Sequence, residues 1–323
     1  MSSRRAIAGV IVNSNARRVQ RDRKLVARLA AIGDDVEVRI TDSAAAVEDE
    51  LRRFRERDVA VIGACGGDGA TSAVLSAMMR VYAGADADEL PALAVLPAGT
   101  MNTVSRNLGV RGAPARILGE VIKARRLGHK EARVRPSTVV LHADALEQPR
   151  HGFMFGMVMA ARFLEAYYQR EPGVQTAVRL AFEVPASALA GSELAQRMFA
   201  PAALRIRADG EPLEAPAGYS LVVGSTVRDI GLGLKVTYRG DERPDRLHLV
   251  ASGVSAAELT KSYHRGFLAR ALSTAPEHHD RLVERVEIEV EGEHDEPYML
   301  DGELGRARAL ELCIGPRVEV CRP

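Results

Sequence analysis

Two glycine-containing turns along this sequence have the residue types of a phosphate site. The first, Gly-Gly-Asp-Gly at residues 66–69, follows an apolar, strand-like run at Val59–Ala64. Consecutive glycines let the backbone turn and approach a phosphate closely, and a helix that starts there presents free N–H groups to the anion. Asp68 is then in place to orient magnesium or a phosphate-bound water. The competing interpretation is an ordinary strand-to-helix turn that requires glycine.

The second turn, Ala-Gly-Thr-Met-Asn at residues 98–102, follows the apolar run Leu93–Pro97. Gly99 permits the turn, Thr100 can cap a helix, and Asn102 can bind a ligand or the turn itself. Because neighbouring parallel strands end at the same edge of a sheet, both turns are expected to face one crevice. By itself, the segment is more simply a capped helix, but its place beside the first turn favours the ligand-binding interpretation.

Neither turn is one of the two common nucleotide loops. The chain contains no Gly-Lys dipeptide, which excludes the G-x-x-x-x-G-K-[ST] loop, and Gly67-x-Gly69 lacks the last glycine of G-x-G-x-x-G. The positive charge for a phosphate would therefore come from arginines, magnesium or backbone dipoles. A third polar segment, Asp301-Gly302-Glu303, is by itself most simply a hairpin turn.

The elements that would position these residues change character along the chain. Up to about residue 110, buried apolar runs such as Ala6–Val12 alternate with helical patterns such as Ser43–Arg57 and Thr71–Tyr82. This order predicts a parallel sheet covered by helices. The first predicted domain is therefore an α/β domain over residues 1–129.

From about residue 131, strand-like segments separated by turn residues predict an antiparallel sandwich or barrel. They lie at residues 133–142, 152–161, 204–208, 219–223, 234–238, 247–251, 283–290, 298–300 and 309–314. Helices are expected at residues 162–169, 174–182 and 256–271. The second predicted domain, 130–323, is thus β-rich, and its last strand could pack back on the first domain.

Composition limits the classes of function. The 323 residues carry 44 basic and 43 acidic side chains, which gives a net charge of +1. The chain as a whole therefore lacks the excess of basic residues that is typical of nucleic-acid-binding proteins. Cys65, Cys313 and Cys321 form neither a C-x-x-C pair nor a zinc spacing, which fits a reducing compartment. The longest strongly apolar run, Gly152–Ala161, is too short to span a bilayer. We expect a cytoplasmic protein that can still contact a membrane surface, and a homodimer is left open.

Three segments in this order resemble the diacylglycerol kinase catalytic-domain family, which also includes sphingosine, ceramide and bacterial lipid kinases. They are Val-Ile-Gly-Ala-Cys-Gly-Gly-Asp-Gly at 61–69, Leu-Pro-Ala-Gly-Thr-Met-Asn at 96–102, and Asp301-Gly302-Glu303 after Tyr298-Met-Leu. The resemblance covers residue 6 to about residue 321. It implies an N-terminal α/β domain with the ATP site, a C-terminal β-rich domain, and a cleft between them. The implied reaction is phosphoryl transfer from ATP to a lipid hydroxyl.

The resemblance also implies roles for individual residues. The first turn would hold phosphates and help to place magnesium, through Gly66, Gly67, Asp68, Gly69 and Thr71. The nucleotide site would further be lined by Gly99, Thr100 and Asn102, and by Asn13 in the loop after the first strand. Because an alcohol is a poor nucleophile, a carboxylate must accept its proton, and Asp301 is expected to be that general base. Glu303 would assist it or reach the nucleotide or metal.

The sequence departs from the family in four places. Ala70 stands where a Thr is usual, Thr103 where an Asp often follows the Asn, and Asn-Ser-Asn-Ala-Arg at 13–17 replaces the Asn-Pro loop. The segment at 156–165 lacks the usual Gly-Phe-Asp pattern, although Arg162 and Glu165 are nearby polar candidates. Two alternatives therefore stay open. One is a kinase of a soluble acceptor, similar to NAD or sugar kinases, and the other is a catalytically silent nucleotide- or lipid-binding protein.

Two further patterns have a functional and a purely structural interpretation. If residues 16–32 form one helix, Arg17, Arg21, Lys24 and Arg28 share a face that could meet phosphates or anionic headgroups, or simply be solvated. The Met- and Phe-rich stretch at 150–159 could line an acyl-chain pocket or form a core strand. The segments at 278–280 and 294–296 contain histidines and carboxylates but match no structural zinc spacing, and we expect polar loops there.

Overall fold

The computed structural model describes residues 7–85, 89–128, 132–189 and 192–322. The chain divides into two compact units, the first made of Met1–Pro136 with Pro316–Pro323 and the second of Ser137–Gly315. The predicted domain boundary near His129 lies outside the described residues.

The first unit is built on a six-stranded sheet in the order β2-β1-β3-β4-β18-β5. Its strands are β1 (Ala8–Asn13), β2 (Val36–Thr41), β3 (Val61–Gly66), β4 (Ala92–Pro97), β5 (Ala132–Val134) and β18 (Val320–Arg322). Strands β1 to β4 pair in parallel, and β18 runs parallel to β4 but antiparallel to β5. Strands β3 and β4 are buried along their whole length, which is why they read as continuous apolar runs.

The helices of the first unit are α1 (Arg17–Arg21), α2 (Leu25–Ala30), α3 (Ala44–Glu56), α4 (Asp68–Val81), α5 (Thr103–Asn107) and α6 (Pro114–Arg126). The single helix considered for residues 16–32 does not form, because the chain breaks between α1 and α2. The carboxylate of Asp22 at this break accepts hydrogen bonds from the backbone of Lys24 and from the side chain of Arg28. The four basic residues therefore do not share one continuous helical face.

The second unit contains two six-stranded sheets, in the orders β10-β9-β14-β17-β6-β7 and β13-β12-β11-β8-β15-β16. The strands are β6 (Ser137–Ala143), β7 (Arg150–Gly152), β8 (Met154–Val158), β9 (Leu204–Ala208), β10 (Glu211–Leu213), β11 (Leu221–Ser225), β12 (Leu247–Ser252), β13 (His278–Val283), β14 (Arg285–Val290), β15 (Glu296–Leu300), β16 (Glu303–Ala307) and β17 (Ala309–Arg317). Both sheets contribute side chains to one apolar core, including Ile206 and Ile288 from one sheet and Phe155 and Leu249 from the other. The predicted fold class, an α/β unit with a parallel sheet and an antiparallel β-rich unit, is confirmed.

The helices of the second unit are α7 (Met159–Tyr168), α8 (Val174–Leu189), α9 (Glu193–Phe199) and α10 (Ala256–Phe267). The Met- and Phe-rich stretch forms β7 and the buried strand β8, so the core interpretation of that pattern is confirmed. The strand predicted over 152–161 is wrong at its end, because residues 159–161 already belong to α7. Strand β8 ends at Val158, whose φ of +57° redirects the chain into α7.

Two local predictions in this unit are wrong. The segment at 234–238 is a series of turns, because Leu234 and Lys235 donate their backbone hydrogen bonds to Gly231 and Gly266. The segment at 278–280 begins strand β13 instead of forming a loop, because it pairs with β12 along its length. Among the described residues, no helix is both long and apolar enough to cross a membrane.

Candidate active site

The two glycine turns lie together at the carboxyl edge of the first unit's parallel sheet. Gly66 ends β3 opposite Pro97, which ends β4. The backbone N–H groups of Ala98 and Gly99 both donate to the carbonyl oxygen of Gly66, at 2.7 and 3.0 Å. Asn13 ends β1 beside them, where its Cβ lies 3.4 Å from the position that a Cβ on Gly66 would occupy. The strands thus deliver three predicted site segments to one edge.

Close backbone packing explains two of the glycines. A Cβ on Gly99 would lie 2.4 Å from the Cα of Gly67, and one on Gly66 would lie 2.3 Å from the Cβ of Ala70. Neither distance is tolerated by real side chains, so any other residue would push the turns apart. Glycine at 66 and 99 is therefore required by the contact between the turns and the first turn of α4.

The carboxylate of Asp68 joins the first turn to the second. Its Oδ2 accepts the backbone N–H of Thr103 at 2.8 Å, and its Oδ1 accepts that of Val104 at 2.9 Å. Burial raises the pKa of Asp68, although both hydrogen bonds and the nearby Arg106 act in the opposite direction. Because both oxygens are engaged with α5, the geometry favours a positioning role for Asp68. The predicted role of magnesium ligand stays a prediction.

Two other predicted residues also shape the turns. Asn102 adopts a left-handed conformation with φ of +48°, and its side chain both accepts from the N–H of Gly99 at 3.0 Å and donates to its carbonyl at 2.9 Å. The hydroxyl of Thr71, which is buried, donates to the carbonyl of Gly67 at 3.2 Å. Thr100 and Asn13, in contrast, are only half-buried.

The start of α4 suits the phosphates of ATP. The helix begins at Asp68 after Gly67, and no side chain of the described residues caps it. Its first-turn N–H groups and the positive end of its dipole are therefore open to a bound anion. For magnesium, no group of three or more His, Cys, Asp or Glu among the described residues could hold the ion. Magnesium bound largely through phosphates and water requires only one or two carboxylates.

Two arginines beside the turns were not singled out by their motifs. The backbone N–H of Arg18 donates to the carbonyl of Ala98 at 3.1 Å, which places α1 against the second turn. Arg106 lies in α5, with Nη2 at 3.4 Å from Oγ1 of Thr103. The signals available in the sequence were an arginine shortly after the first strand and one four residues after Asn102. Both were obscured by the many other arginines of this chain.

In the second unit, Asp301 and Gly302 form a two-residue hairpin turn between β15 and β16. Their φ values are +47° and +88°, and Leu300 pairs with Glu303 across the turn. Asp301 is fully buried, and its Oδ2 and Oδ1 accept the backbone N–H groups of Phe153 and Met154, each at 2.9 Å. The hairpin interpretation is correct, and the turn is in addition tied to β8.

Glu303 has a different environment from Asp301. It is exposed at the start of β16. The hydroxyl of Tyr168, the last residue of α7, donates to the carbonyl of Gly302 at 2.8 Å and so holds the hairpin that carries Glu303. The polar candidates of α7 are engaged elsewhere, since Arg162 pairs with Glu296 at 3.3 Å and Glu165 with Arg306 at 3.5 Å. Glu303 is the accessible carboxylate of the Asp-Gly-Glu segment.

Comparison with known proteins agrees with this arrangement. Residues 8–132 match the family model of the diacylglycerol kinase catalytic domain, a segment that contains Asn13 and both glycine turns. A crystal structure of a diacylglycerol kinase from Bacillus anthracis str. Sterne is 17% identical, with a TM-score of 0.62 and 98% of this chain and 97% of that chain covered.

A second structure, also assigned as a diacylglycerol kinase of that strain, is 16% identical, with a TM-score of 0.64 and the same coverage. At these identities the structures establish the fold alone. A comparison with curated proteins found no match. The resemblance that the three motifs indicated, to the diacylglycerol kinase catalytic-domain family, is thus confirmed over residues 8–132.

Proposed function

We propose that this protein is a kinase that transfers the γ-phosphoryl group of ATP to the hydroxyl of a diacylglycerol-like or sphingoid lipid. The observation that carries the proposal is the pair of glycine turns, bound to each other by Asp68 at the carboxyl edge of a parallel sheet. This pair lies within the segment that matches the diacylglycerol kinase catalytic domain. A lipid acceptor further implies peripheral contact with a membrane from the cytoplasmic side.

The first unit would hold the nucleotide. ATP, when bound, supplies the γ-phosphoryl group, and its phosphates suit the uncapped start of α4 at Asp68. Arg18 and Arg106 lie beside the turns, where their charge supplements the helix dipole in a site without a loop lysine. Positioning and charge neutralisation are the main tasks of a phosphoryl-transfer site. Thr100 and Asn13, which are partly exposed, would line the nucleotide.

The second unit would supply the general base, and its geometry favours Glu303 for that role over Asp301. The carboxylate of Glu303 accepts the proton of the lipid hydroxyl while the hydroxyl oxygen bonds to the γ-phosphorus. The bond from that phosphorus to its bridging oxygen breaks, and ADP leaves with the electron pair. Asp301, which is fully buried and hydrogen-bonded to Phe153 and Met154, would hold the hairpin in place.

A single assay separates this proposal from the two alternatives left open by the sequence. Purified protein is incubated with magnesium, ATP labelled at the γ-phosphate, and a membrane-lipid extract supplemented with diacylglycerol and sphingosine. We expect label in the organic phase, and its loss in Glu303→Gln. Glu147→Gln is a matched control, because Glu147 is also exposed and no ion pair or hydrogen bond of its side chain occurs among the described residues.

The other outcomes assign the protein elsewhere. If no label enters the organic phase, the same incubation is repeated with a mixture of water-soluble metabolites, and label in one of them supports a kinase of a soluble acceptor. Nucleotide binding without any transfer supports a catalytically silent member. Full activity of Glu303→Gln would reject Glu303 as the base, whichever acceptor is used.

A further inference from the structure

The outer face of α8 is apolar and exposed, since no described residue of the second unit covers it. Ala177, Leu180 and Val184 point inward and are buried. Val174, Val178 and Phe182 recur every four residues on another face of the helix and are exposed, Phe182 to 74%. A surface helix ordinarily carries polar residues on its outer face. This second apolar stripe therefore requires a reason beyond the protein core.

The end of α10 adds two large apolar side chains in the same part of the second unit. Helix α10 packs against α8. It ends in Phe267 and Leu268, which are exposed to 45% and 59%. The chain after them is held in place, because the N–H of Arg270 donates to the carbonyl of Arg265 at 3.0 Å. The conformation of the C-terminal end of α10, here called its tip, is thus fixed by a backbone hydrogen bond.

These residues lie on two helices that pack against each other. Of the eight large hydrophobic side chains exposed among the described residues, five lie on the outer face of α8 or at the end of α10. We name this set the apolar patch, and it comprises Val174, Val178, Phe182, Phe267 and Leu268. Concentrated exposed apolar surface marks a site of interaction with a membrane or another protein.

Three cations on α10 or just after it have no carboxylate partner in the described part of the chain. Lys261 and Arg265 lie on α10, and Arg270 follows its tip. No ion pair of these three residues occurs among the described residues, whereas Arg205, elsewhere in the same unit, pairs with both Glu289 and Glu291. Apolar side chains beside unpaired cations are the combination that binds an anionic bilayer.

We propose that the apolar patch, together with Lys261, Arg265 and Arg270, docks the protein on the surface of an anionic lipid bilayer. The inference deepens the proposed function, on which it rests, by naming the surface that meets the substrate-bearing membrane. Charge favours a bilayer over a second copy of the chain. A two-fold contact through the patch would bring like-charged lysine and arginine side chains together.

The test uses the full chain and vesicles of phosphatidylcholine, alone or mixed with anionic phosphatidylglycerol. We expect binding to the mixed vesicles, weakened by salt. Lys261→Gln, Arg265→Gln and Arg270→Gln together should weaken it by about fivefold for each cation removed. Phe182→Ser with Phe267→Ser should abolish binding to the mixed vesicles. Unfolding temperatures equal to that of the unaltered chain will show that the variants are folded.

Matched controls lie away from the patch. Ile40→Ser and Leu127→Ser remove two side chains of the first unit that are exposed to 58% and 57%, and Arg205→Gln removes a paired cation. These variants should bind vesicles as the unaltered chain does. The proposal is overturned if the unaltered chain does not bind anionic vesicles, or if the patch variants bind them normally. It is equally overturned if sedimentation reveals a dimer that the patch substitutions dissociate.

Two activity readouts separate this inference from the proposed kinase activity. On a short-chain diacylglycerol dissolved as monomers, the patch variants should retain full turnover, since no membrane needs to be reached. On vesicles their turnover should fall with binding. Glu303→Gln should lose both activities yet bind vesicles normally. Vesicle binding through the patch without any kinase activity would reject the proposed function while leaving the docking surface in place.

Discussion

The hydroxyl of Tyr168 donates a hydrogen bond of 2.8 Å to the backbone carbonyl of Gly302. The bond connects the end of α7 to the hairpin turn that precedes Glu303, the accessible carboxylate of the Asp-Gly-Glu segment. Under the proposed function Glu303 is the general base, and a general base must be held in register with the proton that it accepts. The position of Glu303 therefore depends on a residue 134 positions earlier in the chain than Gly302.

Removing this hydroxyl should lower turnover without affecting nucleotide binding. A hydrogen bond of this kind contributes about 1 kcal/mol, so we expect Tyr168→Phe to reduce kcat by about fivefold. KM for ATP should stay unchanged, because the nucleotide would be held by the first unit. Tyr263→Phe is the control, since no hydrogen bond of that hydroxyl occurs among the described residues. Equal kcat in both variants would show that the bond has no positioning role.

A methyl group on Gly99 should separate the two glycine turns. Its Cβ would lie 2.4 Å from the Cα of Gly67, and overpacking of this kind costs about 1–3 kcal/mol. We expect Gly99→Ala to lower the free energy of unfolding by that amount and to abolish ATP binding, measured by calorimetry. Gly119→Ala is the matched control, because no described residue, apart from the backbone of its own helix, lies within 4 Å of the added methyl group. Helix propensity should make that variant more stable by about 0.5–1 kcal/mol.

Asp68→Asn should destabilise the protein. The two carboxylate oxygens of Asp68 each accept a backbone N–H, from Thr103 and Val104, whereas an asparagine has only one oxygen and turns its NH₂ group towards the other N–H. An unsatisfied buried donor costs about 1–3 kcal/mol.

The pKa of Asp68 is raised by burial above 3.8, its ordinary value. The stabilisation that arises from this raised pKa is thus fully present below pH 3.8, and it is lost as pH rises through the folded-state pKa. Chemical denaturation from acid to neutral pH should show the advantage of Asp68 over Asn shrinking, and a growing advantage would contradict burial as the dominant cause.

The two carboxylates of the Asp-Gly-Glu segment should respond differently to amide substitution. Asp301→Asn should lower the free energy of unfolding by about 1–3 kcal/mol, because it disturbs fully buried hydrogen bonds to Phe153 and Met154. Glu303→Gln should leave stability unchanged and reduce kcat by about a hundred- to ten-thousandfold. Denaturation curves and turnover measured on both variants check this, and the reverse pattern would restore Asp301 as the base.

The catalytic-domain resemblance and the fold class could be predicted because their signals are local. Residues 66–69 lie between an apolar strand and a helix, and the turn chemistry of glycine is readable from neighbouring residues alone. Buried parallel strands such as β3 and β4 appear as continuous apolar runs for the same reason. Local patterns failed where a segment's hydrogen bonds were satisfied elsewhere, as at residues 234–238, whose Lys235 donates to Gly266.

The environments of the acidic residues were decided only by the tertiary structure. The sequence placed Asp68 and Asp301 in motifs that chemistry can use, but it did not show whether either carboxylate is enclosed. In the fold, Asp68 meets a backbone N–H 35 positions away and Asp301 meets one 148 positions away. Burial and hydrogen bonds between distant segments arise only when the chain is packed, so the sequence could not show that Asp301 is enclosed while Glu303 is exposed.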